Sequence, residues 1–268
     1  MPMFSLLSET GRVERLSLIL QSSGGYADDA YKIANLIREF CDHLTIIVPL
    51  RAKSAATILS LAGNQILMSA LSELGPCDPM IRVDASIVTP TSLPIRPPDE
   101  EEELEESGRE RRKRQINALA LRDFLEAAGI LQTDDQGRVK GYDCEKLLPF
   151  CEKGILNPWL LGDFERSFKQ PYQFAENLLC RYMFKGHPDC SDRVPDIARK
   201  LTEGFYYHDY PISRREAQEL GLVVHDMGTD LQNRIGELMV AYDVMKQEQR
   251  LRTVIETSRS YRTFKWAD

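Results

Sequence analysis

No run of apolar residues in this 268-residue chain is long enough to cross a bilayer, so a transmembrane helix is not expected. Residues 1–12 (MPMFSLLSETGR) lack a basic start and a long apolar stretch, so a secretory signal is not expected there either. Basic excess is missing too: the formal net charge is −7, which argues against a general nucleic-acid surface. The six cysteines form no CxxC pair, and in a chain of this size they read as reduced, cytoplasmic thiols rather than a disulfide framework. Cys180, His187 and Cys190 have loosely metal-like spacing. No second pair closes a tetrahedral set, so no metal site is expected. No internal repeat is present. What is there, 43% hydrophobic and 28% charged residues, is the composition of a globular protein of one large domain or two small ones.

The first half of the chain alternates strands and helices. Residues 13–20 (VERLSLIL) alternate and then become continuously apolar, as a strand entering a buried sheet does. Gln21, Ser22, Ser23, Gly24, Gly25 and Tyr26 break it. Two adjacent glycines allow positive φ and a close backbone approach. From Ala27 the spacing is helical, with Ala30, Ile33, Ala34, Ile37 and Phe40 on one face and Asp28 and Asp29 in the first turn. Residues 43–48 form a second buried strand, which completes a βαβ unit with parallel strands. Residues 48–63 (VPLRAKSAATILSLAG) then read as a strand, a small-residue elbow and an apolar helix, with Ser54 at the turn. A hydroxyl there meets the unpaired N–H groups of a helix start, which suits either an N-cap or a nucleophile whose oxyanion needs N–H donors. Residues 65–68 read as a third strand. In open parallel sheets ligands gather beyond the carboxyl ends of strands, so the Gly-Gly and Ser54 loops should share one rim.

The rest is different in kind. Residues 89–98 carry four prolines, 99–106 are nearly all acidic and 109–114 nearly all basic, which reads as a surface excursion. An amphipathic helix is expected over 116–128, a polar loop over 131–146, and mostly helix from 147 to 204. A capping box is expected at Ser213 and Glu216, a short strand at 222–224, a helix over 231–245 and then a charged tail.

Four segments together resemble the Clp protease–crotonase superfamily, and within it the serine dehydrogenase proteinase family, related to signal peptide peptidase A. They are LSLILQSSGGYADDAYKIANLIREF (16–40), VPLRAKSAATILSLAGNQILM (48–68), SELGPCDPMI (72–81) and FYYHDYPISRREAQELGLVV (205–224). The resemblance implies an α/β fold with a Clp protease/crotonase-like spiral ββα core (1–84 and 205–245). A charged excursion and mostly helical insertion (85–204) and a charged tail (246–268) would complete the chain. It implies Ser54 as nucleophile and the amides of Gly25 and Ala55 as oxyanion hole.

The general base does not carry over. The loop in which Clp proteases have a histidine is SELGPCDPMI here, with none. Signal peptide peptidase A uses a downstream lysine, for which Lys113 is the first candidate. Lys53 adjoins Ser54, but neighbouring side chains at an elbow usually diverge. His208, beside Asp209, has suitable chemistry, although anchoring a helix start is its simpler role. A partner subunit could also supply the base. Asp78 reads as a binder of a backbone amide. The expected function is serine-type peptide hydrolysis in the cytoplasm, on peptide or protein substrates, by a homo-oligomer without metal, nucleotide or other cofactor. The rivals are a non-catalytic scaffold with the same fold and an acyl-CoA enzyme sharing the paired oxyanion amides.

Overall fold

A computed structural model describes residues 5, 7–9, 11–84, 113–133, 139–153, 156, 158–188, 190–205, 207–249, 251–256 and 261–265. The acidic run and most of the basic run of the 89–115 excursion lie outside these residues. The chain forms two units, Met1–Cys77 with Pro171–Asp268, and Asp78–Gln170. Expectation drew the boundaries near 84 and 205 instead. Residues 80–84 join the second unit because they pair with 113–117. Residues 171–204 join the first because Ala175, Leu178, Val194, Ala198 and Leu201 are buried in its core.

The elements run as follows. β1 (Val13–Ile19), α1 (Ala27–Glu39), β2 (Cys41–Val48), β3 (Arg51–Ala52), α2 (Ala55–Ser60), β4 (Gln65–Met68) and β5 (Glu73–Leu74) open the first unit. β6 (Met80–Asp84), β7 (Lys113–Asn117), α3 (Ala118–Ala127), β8 (Leu131–Thr133), β9 (Val139–Tyr142) and α4 (Cys144–Glu152) lie in the second. The unit boundary falls within α5 (Pro158–Leu178), which continues as a π-helical turn over Leu179–Met183. α6 (Cys190–Glu203), β10 (Ile212–Ser213), α7 (Arg214–Glu219), β11 (Val224–Asp226), α8 (Thr229–Gln249), β12 (Leu251–Glu256) and β13 (Tyr261–Lys265) return to the first.

The first unit's main sheet is all parallel, in the order β1-β2-β4-β11. β2 is central, and Leu44, Ile46, Ile47 and Val48 are buried on both its faces, as an apolar run flanked by two parallel neighbours requires. β1 is an edge strand and keeps an alternating, half-exposed pattern. α1 turns Ala30, Ala34 and Ile37 inward. A small second sheet, β10-β5-β3, is mixed: β3 runs parallel to β5, and β10 antiparallel.

Three expectations are corrected. The polar loop of 131–146 contains the antiparallel pair β8–β9 and the start of α4, which Asp143 caps through the amides of Glu145 and Lys146. Strands of three and four residues are too short to show a period. The charged tail contains the antiparallel pair β12–β13, rich in β-branched and aromatic residues. The helix expected over 116–128 starts at Ala118, because residues 113–117 form a strand paired with 80–84.

All six residues of α2 are buried, so its polar members must find partners inside. Ser60 Oγ donates to the Ala56 carbonyl at 2.8 Å. Thr57 Oγ1 lies 2.6 Å from the Ala52 carbonyl and 2.9 Å from that of Gly75, and it accepts the Gly75 amide at 3.0 Å. One hydroxyl thus joins the end of β3, the first turn of α2 and the loop after β5.

The segment entering α7 is held by one carboxylate. Ser213 and Glu216 form the expected capping box: the Ser213 amide donates to Glu216 Oε2 at 2.8 Å, and Ser213 Oγ accepts the Glu216 amide at 3.3 Å. Ser213 Oγ donates to Oε2 at 2.6 Å, and the Tyr210 hydroxyl to Oε1 at 2.6 Å. The Ser213 hydroxyl, then that of Tyr210, then the Ser213 amide hold the Glu216 carboxyl below the usual carboxylate range.

Two outcomes are expected. Thr57→Val keeps the shape but leaves the Gly75 amide unpartnered, and should cost about 1–3 kcal/mol in denaturant unfolding. A depressed folded-state pKa contributes stability above the unfolded-state value, about 4.3 for glutamate, and loses it as pH falls through the folded value. Glu216→Gln should therefore be less stable than the parent at neutral pH. The gap should narrow as the pH of the unfolding experiment drops below about 4.

Candidate functional site

Ser54 is the one non-glycine residue with positive φ among the described residues, at φ 51° and ψ −117°. An N-cap needs extended backbone and lends its side-chain oxygen to the helix amides. Ser213 does this at φ −65° and ψ 164° with a cap hydrogen bond; Ser54 does neither, and its side chain makes no cap bond. A conformation of this kind costs on the order of 1–3 kcal/mol and persists only where its surroundings impose it.

The surroundings are dense. The Lys53 amide donates to the Ser22 carbonyl at 3.1 Å, and the Ser22 amide to that of Arg51 at 3.0 Å, which bridges Ser22 to Ala52. On the helix side, the Ala56 amide donates to the Lys53 carbonyl at 2.9 Å and the Ile58 amide to that of Ser54 at 3.2 Å. The Gly-Gly turn starts from Ser22, whose Oγ accepts the Gly24 amide at 3.1 Å. Gly24 has φ 118°, and a Cβ there would lie 3.0 Å from the Lys53 carbonyl oxygen, 3.0 Å from Ser54 Cβ and 3.6 Å from Ser54 Oγ. A side chain at Gly24 would therefore collide with the elbow. A Cβ at Gly25 would meet nothing within 4 Å, but Gly25 has φ 156°, which side-chain-bearing residues rarely adopt. The amides of Gly25 and Ala55 make no hydrogen bond among the described residues and stay available to an acceptor.

Lys53 is half-hidden beside the elbow, its side chain 13% exposed. Its Nζ lies 3.0 Å from Glu73 Oε1 and donates to the Asp209 carbonyl at 2.8 Å. The loop carrying His208 thus reaches the residue preceding Ser54. Among the described residues no side chain hydrogen-bonds Ser54 Oγ. Lys113 lies on β7 in the second unit, paired with Asp84, and its side chain is outside the described residues. Asp78 is buried in that unit too. Cys180 and Cys190 are free thiols with sulfurs 3.0 Å apart; burial, then the Cys190 thiol, push Cys180 up to about 11. Among the described residues no three His, Cys, Asp or Glu side chains are grouped to hold a metal, and no helix is long and apolar enough to cross a membrane.

Sequence reasoning missed Gly24, Thr57 and the Lys53–Glu73–Asp209 contacts. Only the first had a signal, as the other half of the Gly-Gly pair. The rest depend on pairings between distant segments.

Chemically, the arrangement offers a half-buried serine on a strained backbone, and two amides without acceptors, one in the Gly-Gly turn and one at the start of α2. Two uncharacterized proteins of Methanocaldococcus jannaschii are similar to the chain. One is 26% identical over 242 residues, covering 90% of this chain and 62% of the relative. The other is 24% identical over 228 residues, covering 85% and 56%. The chain thus spans about six-tenths of the length of these curated relatives. No solved structure matches it significantly. Its residues 7–92 match the family described as ClpP-like SDH-type serine proteinase. The match takes in β1 through β5, the Gly-Gly turn and the Ser54 elbow, so the likeness to that family rests on the segment that carries the candidate site.

Proposed function

We propose that the protein is a serine-type peptidase with Ser54 as nucleophile. The backbone of Ser54 carries the reading, because the strain it holds gives no benefit to a helix cap and its side chain makes no cap hydrogen bond. In the reaction, Ser54 Oγ attacks the peptide carbonyl carbon and gives up its proton to a general base. The amides of Gly25 and Ala55 stabilise the oxyanion. The amine leaves with a proton, and water hydrolyses the acyl-serine and restores the hydroxyl.

For the base, the contact between Lys53 and Asp209 favours His208, whose loop it ties to the elbow; Lys113 is the alternative, by its order along the chain. Lys53 itself directs its protons to Glu73 and Asp209. The family description supports a peptide or protein substrate. A cytoplasmic homo-oligomer acting without a cofactor, and a spiral ββα arrangement of the two sheets, complete the proposal.

The second reading is a non-catalytic scaffold. It is favoured by the lack, among the described residues, of a side chain bonded to Ser54 Oγ. A fluorophosphonate separates the two, since it labels only an activated serine. Labelling is expected in the parent and absent in Ser54→Ala, with the circular dichroism of the two alike. Parent-level labelling of the alanine variant would place the nucleophile elsewhere. No labelling of the parent in its assembled state would favour the scaffold.

A side chain at position 24 should push on the Lys53 carbonyl and Ser54 Cβ and misplace the nucleophile. Gly24→Ala should slow labelling about 10²-fold, and Gly25→Ala, which strains the backbone without meeting a neighbour, should slow it less. Equal rates in both variants would mean that the close approach of Gly24 has no bearing on reactivity.

A further inference from the structure

We infer that Lys53 is a positioning residue of this site: its ammonium, set between the Glu73 carboxylate and the Asp209 carbonyl, holds the Ser54 turn and the 207–213 loop as one piece. Its kinetic consequence rests on the peptidase reading above; the clamp itself does not.

A residue in a rare backbone conformation relaxes unless the residue before it is fixed. Lys53 is fixed along its whole length. Its amide and carbonyl are both hydrogen-bonded, to Ser22 and from Ala56. Its stem lies against Gly75, where a Cβ would come within 3.1–3.2 Å of Lys53 Cα, Cβ and Cδ. Its Nζ ends on Glu73 Oε1 at 3.0 Å and the Asp209 carbonyl at 2.8 Å.

Among the described residues, burial separates this pair from the other ion pairs. The side chains of Arg215 and Glu219 are 88% and 62% exposed, those of Lys53 and Glu73 13% and 29%. An exposed pair contributes little, whereas a lysine drawn out of water needs its partners, and losing one is costly. The far side of the clamp is firm as well, since Glu216 holds Tyr210 and Ser213 just beyond Asp209. Removing the ammonium should therefore free two things together, the backbone before Ser54 and the loop after Tyr207.

The test uses the full chain with Lys53→Met, which keeps most of the stem and removes the charge, Lys53→Arg, which can still bond both partners, and Glu73→Gln. Two readouts are compared: amide hydrogen exchange over 207–213, and the rate and saturation of fluorophosphonate labelling at Ser54. Lys53→Met should speed exchange and slow labelling about 10²-fold, through the maximal rate rather than half-saturation. Lys53→Arg should recover most of both. Glu73→Gln should move both the same way by less, and adding it to Lys53→Met should change little further, as expected within one network.

Parental exchange in Lys53→Met overturns the clamp. Parental exchange combined with loss of labelling in both Lys53→Met and Lys53→Arg overturns it in favour of a direct chemical role for Lys53. If Lys53→Met does not fold, Glu73→Gln decides: faster exchange supports the clamp, and parental exchange and labelling overturn it. A parent that is not labelled at all removes the peptidase reading, while exchange over 207–213 still decides the clamp.

Discussion

A non-glycine residue at φ 51° and ψ −117° keeps that backbone only where its neighbours leave it no alternative, and at Ser54 they close in from three directions. Before it, the Ser22 loop pairs with β3 and fixes the Lys53 amide. Beside it, Gly24 approaches so closely that a single methyl group would collide with Lys53 and Ser54. After it, α2 is buried over its whole length and cannot shift to ease the turn. Those demands account for much of the local sequence. They explain a glycine rather than any other residue at 24, small side chains at 52, 55 and 56, and a threonine inside a short buried helix.

The energies involved are modest. A folded domain is stable by about 5–15 kcal/mol, so a strained residue costing about 1–3 kcal/mol is a sizeable fraction of the total. The compensation is spread over ordinary interactions of about 1 kcal/mol each: the Thr57 hydroxyl between two loops, the Ser213–Glu216 box, and the apolar packing of β2 and α1. None is unusual alone. Their common property is that each ends on a segment adjoining the elbow, so the stability of the fold and the geometry of Ser54 are set by the same contacts.

Much of this was legible beforehand. The continuous apolar run of β2 and the 3.6-residue spacing of α1 announced a βαβ unit because periodicity is a local property that folding preserves. The serine at a strand-to-helix turn and the glycine pair were likewise visible, as was the capping box at Ser213. The second unit was less legible. β8 and β9 are too short to carry a period, and β7 lies in a charged stretch whose composition favours a solvated segment. Nor does the sequence tell a capping serine from a strained one: Ser54 and Ser213 both precede a helix, and only their backbone angles and side-chain partners separate them. The partners of Lys53 were invisible for a different reason, since one is 20 residues away and the other 156.

That last separation matters for how the molecule comes to exist. The residues of the elbow leave the ribosome well before Asp209, and a contact across 156 residues forms only after a long loop has closed. Until then the ammonium of Lys53 has no carbonyl to hold, and the turn at Ser54 lacks one of its restraints. The Ser54 hydroxyl is therefore expected to reach its final setting late, once the second half of the chain has returned to the sheet. A protein whose reactive group is shaped by its last contacts is assembled before it is armed.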